Sequence, residues 1–172
     1  ELKGLVQKGL IQATTSLDLL RDVDVIIIAV PTPLTKNLTP DLQYVEAVTK
    51  AVTPYLRKGQ LVCLESTTYP GTTDEVMKPI LDTSGLKVEE DYFLAHSPER
   101  VDPGNQRYST KNTNKVVGGH GPNSLEVAVA FYQRTIDHVV PVSSASAAEM
   151  VKVFENTFRA VNIALVNELA LL

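Results

Sequence analysis

The sequence predicts an α/β fold in which a parallel sheet is covered by crossover helices. Short apolar runs rich in β-branched residues alternate with longer runs at helical spacing. The first of the short runs, VDVIIIAV at 23–30, is apolar on both faces, as a buried central parallel strand requires. No repeat, low-complexity tract or flexible linker breaks the alternation.

Residues 1–10 read as the tail of a helix. Strands are expected at 23–30, 61–66 (LVCLES), 92–96 (YFLAH), 115–118 (KVVG) and 138–142 (HVVPV). Between them, 41–55 follows Pro40 with Asp41 placed to cap the helix, and 72–81 and 122–134 carry apolar residues three and four apart. From about Ala145 to Leu172 there is no Pro or Gly, which predicts one helix of more than about 25 residues, long for a single domain and suited to bridging two. The opening inside a helix and the lack of a stop signal at Leu172 lead us to expect truncation at both ends, with a first unit over 1–143 and a second beginning at 144–172.

A net charge of −4 gives no electrostatic reason to expect nucleic acid or an anionic membrane as partner. The longest apolar run, 25–30, is far too short to span a bilayer and no signal-peptide pattern opens the chain, so a soluble, cytoplasmic protein is expected. A single cysteine, Cys63, excludes an internal disulfide and a multi-cysteine metal site.

In an open parallel sheet the loops at the carboxyl ends of the strands form the ligand crevice. Pro31-Thr32-Pro33 fixes the backbone after the first strand, either beside a ligand or as a stiff loop alone. The run from Ser66 and Thr67 to Thr73 sets five hydroxyls at a strand exit, able to orient a cofactor ring, a water or a phosphate, although helix capping explains Thr72 or Thr73 equally well. Cys63 falls on one face of its strand with Leu61 and Glu65 and reads as a packing residue. In SPERVDPGN, Glu99 beside Arg100 is either a base next to an anion-binding group or a surface ion pair. His96, His120 and His138 have no metal-site spacing, and His96 reads as a satisfied strand-end histidine. Gly118-Gly119-His120-Gly121 lacks the third glycine of a dinucleotide fingerprint and reads as a turn.

On the long helix, Glu149, Lys152, Asn156 and Arg159 form one polar stripe at offsets of three, four and three, with Met150, Val151, Phe154, Phe158, Val161 and Leu165 as the apolar remainder. The stripe is either a solvated face or the wall of a cleft; in a cleft, Lys152 and Asn156 would stabilise charge developing on oxygen.

VPTPL at 30–34, ESTTYPGTT at 65–73, SPERVDPGN at 97–105, KVVGG at 115–119 and AEMVKVFENTFRAVNIALVNEL at 148–169 together resemble the UDP-sugar 6-dehydrogenases, in order and over nearly the whole chain. SPERVDPGN followed by KVVGG is most similar to the branch acting on UDP-N-acetylglucosamine, with UDP-N-acetylmannosamine a close rival; UDP-glucose members often have a second acidic residue where this chain has Asp102-Pro103-Gly104.

The resemblance implies a Rossmann-like NAD-binding domain, a long bridging helix and a homodimer or higher homo-oligomer. It implies C6 oxidation by two NAD through an aldehyde and a cysteine-bound thioester. Thr32, with Pro31 and Pro33, and Thr67, with Ser66, would contact the cofactor, Thr67 also lying near the water and the reacting carbon. Glu99 would handle the hydrolytic water. Arg100, Val101 and Arg159 would hold the substrate, and Lys152 and Asn156 would stabilise oxygen charge while also binding it. The family's first strand, glycine-rich phosphate loop and nucleophilic cysteine have no counterpart in these residues, so this chain alone is expected to be inactive and to bind NAD poorly. Two rival readings are a two-electron hydroxyacid dehydrogenase, which SPERVDPGN disfavours, and a non-catalytic assembly module.

Overall fold

The computed structural model describes residues 2–100 and 110–172. Five strands form one sheet in the order β1 (Val25–Ile28), β2 (Leu61–Leu64), β3 (Phe93–His96), β4 (Lys115–Gly119) and β5 (Val139–Val142). β1, β2 and β3 run parallel, with Ile28 opposite Leu64 and Leu64 opposite His96. β4 and β5 are parallel to each other, but β4 pairs antiparallel with β3, His96 facing Gly118. The expected parallel sheet is present, with one antiparallel junction. Parallel neighbours need a crossover, usually a helix, and the segment from 97 to 114 holds two prolines and no helical apolar spacing.

Alternation along the strands separates two cores. Ile26, Ile28, Val62, Leu64 and Leu94 meet α2 (Gln43–Val52) and the helical segment after β2 on one face. Leu61, Cys63, Ala95 and Val117 meet Ala128 and Tyr132 of α4 (Pro122–Tyr132) on the other. The opening helix, α1 (Leu2–Gln7), buries nothing. α2 starts two residues later than expected, yet Asp41 Oδ1 still accepts from the Gln43 N–H at 3.0 Å. The 72–81 helix is a π-helix over Thr72–Met77 continuing into α3 (Lys78–Asp82), entered through Gly71 at φ +101°.

β4 holds Gly118, as expected, and also Gly119, so the turn expected over 118–121 is confined to a bend at His120 and Gly121, a correction with a steric cause. A Cβ on Gly118 would lie 2.0 Å from the Ser144 carbonyl oxygen, and one on Gly119 would lie 2.3 Å from the Leu125 nitrogen. The bare backbone lets β4 press directly against α4 and against the start of α5 (Ala145–Ala170). Ser144 caps α5, its Oγ accepting from the Ala147 N–H. The helix buries Ala145, Ala148 and Glu149, whereas every residue from 156 onward is exposed. Among the described residues no helix is long and apolar enough to cross a membrane.

Candidate active site

Because β1, β2 and β3 are parallel, their carboxyl ends open on one edge of the sheet. The ends of β1 and β2 are stitched together there. The Val30 N–H donates to Ser66 Oγ at 2.8 Å, Ser66 Oγ donates to the Val30 carbonyl at 2.7 Å, and Thr32 Oγ1 donates to the Thr67 carbonyl at 2.6 Å. Ser66 is thus a buried tie, while the Thr67 side chain, Pro31 and Pro33 are exposed beside it and Thr32 is half-buried. A rigid shelf with an exposed hydroxyl is suited to the face of a flat ring.

The same loop is held from behind. Glu149, 1% exposed, accepts from the Gly71 N–H (2.6 Å), the Thr73 N–H (2.9 Å) and Thr73 Oγ1 (2.6 Å). Burial pushes its carboxyl above the usual carboxylate range, against the downward pull of the Thr73 and Gly71 hydrogen bonds. Glu149 therefore leaves the expected polar stripe and becomes part of the core. Thr72 Oγ1 turns back to the Tyr69 carbonyl at 2.8 Å.

One turn further along α5, Lys152 Nζ donates to the Glu99 carbonyl at 2.7 Å, so helix and SPER loop are joined. Arg100 reaches the same helix: Nε donates to Glu155 Oε2 at 3.0 Å, Nη2 pairs with Glu155 Oε1, and Nη1 donates to the Asn114 carbonyl. The Glu99 carboxylate accepts from the Arg100 N–H at 2.7 Å. An open cavity of 540 Å³ adjoins these contacts, with Arg100, Lys152, Glu155 and Arg159 on its polar wall and Phe154 and Phe158 on its apolar one. The Asn156 side chain is exposed, makes no hydrogen bond to the described residues and does not line that cavity, and neither does Thr67. Val101 lies outside the described residues. The structure thus joins Lys152 to the Glu99 carbonyl, Arg100 to Glu155, Ser66 to Val30 and Thr32 to the Thr67 carbonyl, but does not seat all the expected residues in one hollow.

Other titratable groups are structural. Cys63 is fully buried, its Sγ 3.2 Å from the Tyr132 hydroxyl, and burial pushes its thiol up to about 12. Tyr132 donates to Glu65 at 2.5 Å, and Lys115 Nζ lies 3.1 Å from Glu65 and 5.2 Å from the Tyr132 ring centroid. His96 corrects an expectation: it is fully buried, and neither ring nitrogen has a hydrogen-bond partner among the described residues. Burial, and then the Lys115 charge, hold its pKa down to about 3, so its 4.0 Å approach to Glu149 is no ion pair. His120 Nδ1 contacts Asp74 at 2.7 Å. Among the described residues no group of three or more His, Cys, Asp or Glu could hold a metal ion.

Sequence reasoning missed Glu155, which lay unremarked between Lys152 and Arg159, and misplaced Glu149. The only signal for the latter was its neighbours: Ala145, Ala147 and Ala148 permit close approach, and a carboxylate among them is close enough to reach the loop.

Residues 1–136 match the NAD binding domain of the UDP-glucose/GDP-mannose dehydrogenase family, and residues 146–172 match that family's central domain. The UDP-N-acetyl-D-mannosamine dehydrogenase of Pyrococcus horikoshii is 37% identical over 171 residues, 99% of this chain and 41% of that protein. The UDP-N-acetyl-D-glucosamine 6-dehydrogenase of Pseudomonas aeruginosa is 39% identical over 161 residues, 92% of this chain and 38% of that protein. A solved structure of the Pyrococcus horikoshii enzyme superposes with a TM-score of 0.91 at 37% identity, covering 99% of this chain and 40% of the other. The chain thus spans about 40% of the length of these relatives.

Proposed function

We propose, because this chain belongs to the UDP-glucose/GDP-mannose dehydrogenase family, that the whole protein oxidises C6 of a UDP-N-acetylhexosamine, UDP-N-acetylglucosamine before its mannosamine epimer, to the uronate with two NAD. On this reading residues 1–143 belong to the cofactor domain and 144–172 open the central domain. The observation that carries it is Lys152 on α5 bonded to the Glu99 carbonyl, with Arg100 tied to the same helix, beside a cavity able to hold a polar ligand.

The shelf formed by Thr32, Ser66 and Thr67 suits NAD, since its exposed hydroxyl and two flanking prolines stand at the carboxyl edge of parallel strands. Bound there, NAD would accept one hydride in each oxidation. An alcohol gives up hydride more readily once its oxygen bears negative charge, and an ammonium beside that oxygen favours the charged form. Lys152 has three N–H donors and commits one to Glu99, so two can reach a substrate oxygen. Asn156, one turn on but off the cavity wall in this structure, would have to turn toward that oxygen to add a neutral donor. Glu99 orients the water that completes the uronate. Arg100, Val101 and Arg159 hold the substrate, and Arg159 lines the cavity with its side chain exposed. Cys63, buried with a raised pKa, is unsuited to forming a thioester.

Mixing the whole protein with UDP-N-acetylglucosamine and NAD should give two NADH per uronate, with kcat/KM above that for UDP-N-acetylmannosamine and UDP-glucose. One NADH per product would point to a two-electron hydroxyacid dehydrogenase, and absence of turnover with every UDP-sugar would refute the proposal.

A further inference from the structure

We propose that Glu149 is a positioning residue: from its seat on α5 it ties the hydroxyl-rich loop after β2 to the helix carrying Lys152, so that cofactor side and substrate side keep one fixed spacing. The catalytic consequence rests on the function proposed above; the mechanical coupling does not.

The first N–H groups of a helix have no partner within it. The segment beginning at Thr72 is entered through Gly71, which has no side chain with which to cap it. A local Asn or Asp would satisfy those donors with no effect elsewhere. Here the acceptor comes from Glu149, 76 residues after Thr73 in the chain, and one carboxylate takes up the Gly71 N–H, the Thr73 N–H and the Thr73 hydroxyl. The loop is thereby built on α5. Gly71 has a left-handed backbone, φ +101°, which glycine adopts without strain, and its own N–H is one of the three donors that Glu149 accepts.

Three residues along α5, about 4.5 Å of helix rise, Lys152 makes the second tie, to the Glu99 carbonyl. The two ties fix α5 against the exits of both β2 and β3. His96, at 4.0 Å, lies beyond hydrogen-bond distance of the carboxylate and does not compete for it. A group that merely capped the Thr72 segment would affect stability alone, whereas one that sets the spacing of Thr67 and Lys152 affects the rate of hydride transfer at nearly constant substrate affinity.

The test compares Glu149→Gln and Thr73→Val in the whole protein, by amide hydrogen exchange and steady-state kinetics. Glu149→Gln should speed exchange at Thr73 and in the 150–156 stretch of α5 together. It should lower kcat tenfold or more while KM for the UDP-sugar stays within threefold. Thr73→Val should act in the same direction less strongly, and the double variant should be no worse than Glu149→Gln alone. Faster exchange confined to the loop overturns the inference, as does a kcat within twofold of wild type in a folded variant. Should Glu149→Gln fail to fold, Thr73→Val decides by the same exchange criterion and by whether its kcat falls more than twofold. Should the wild-type protein turn over no UDP-sugar, the functional reading fails, and exchange alone decides the coupling.

Discussion

The loops leaving β2 and β3 both lean on α5 but are held by different physics. The loop after β2 is fastened by buried contacts: Ser66 to Val30 and Glu149 to Gly71 and Thr73. The loop after β3 is fastened at its described end by half-exposed ones, Lys152 to the Glu99 carbonyl and Arg100 to Glu155, whose side chains are 23% and 34% exposed. Buried hydrogen bonds resist rearrangement because leaving a donor unpaired is costly, while exposed ion pairs contribute little and exchange readily with solvent. On the function proposed above, the buried contacts would hold the cofactor side more stiffly than the half-exposed ones hold the sugar side.

The contrast can be broken at its base. Gly118→Ala forces a Cβ within 2.0 Å of the Ser144 carbonyl. It should push α5 off β4 and loosen both loops at once, at a cost of about 3 kcal/mol or more, read by denaturant unfolding. Lys152→Ala should spare the fold and lower kcat by roughly 10²–10³, with melting temperature the check that only the half-exposed contacts have changed.

Acid separates the two loops next. His96 titrates at about 3 in the folded chain against an ordinary 6.5, so it stabilises the fold fully above pH 6.5 and loses that contribution as pH falls toward 3. The loss should amount to roughly a few kcal/mol and flatten in His96→Leu. Glu149 has the opposite sign: its raised carboxyl accepts a proton first in the folded state, so its contribution grows as pH falls. Unfolding titrations of Glu149→Gln should therefore show a steeper acid loss than wild type. The smallest effect belongs to the ion pair of Arg100 with Glu155. Glu155→Gln should cost under about 1 kcal/mol, less still in high salt, and change KM for the sugar more than kcat.

Strand and helix positions were legible because apolar spacing reports burial directly, and all five strands fell within or near the expected runs. The reversal of β4 was not, since the apolar pattern of a strand is the same in either direction. Gly118 and Gly119 illustrate the same limit: turn glycines and glycines flattened by a packed helix look identical in one dimension. Lys152, Glu99 and Arg100 stood out by their motifs; the structure bonds Lys152 to the Glu99 carbonyl and Arg100 to Glu155, and their roles remain those proposed above. Glu149 was read as a neighbour of Lys152 on one stripe, because helical periodicity gives an angle about the axis and not the depth at which a side chain ends. Three small residues before it allow the helix to sink until its first turns are core and its later ones, Phe154 and Phe158 included, are exposed.

The most direct test of the account is a structure of the whole protein with NAD and UDP-N-acetylglucosamine bound. We expect the nicotinamide on the Thr32–Thr67 shelf, the sugar C6 oxygen within hydrogen-bond reach of Lys152 Nζ, and Glu149 still bonded to Thr73. A sugar bound away from α5, or a nicotinamide that leaves the shelf empty, would contradict it.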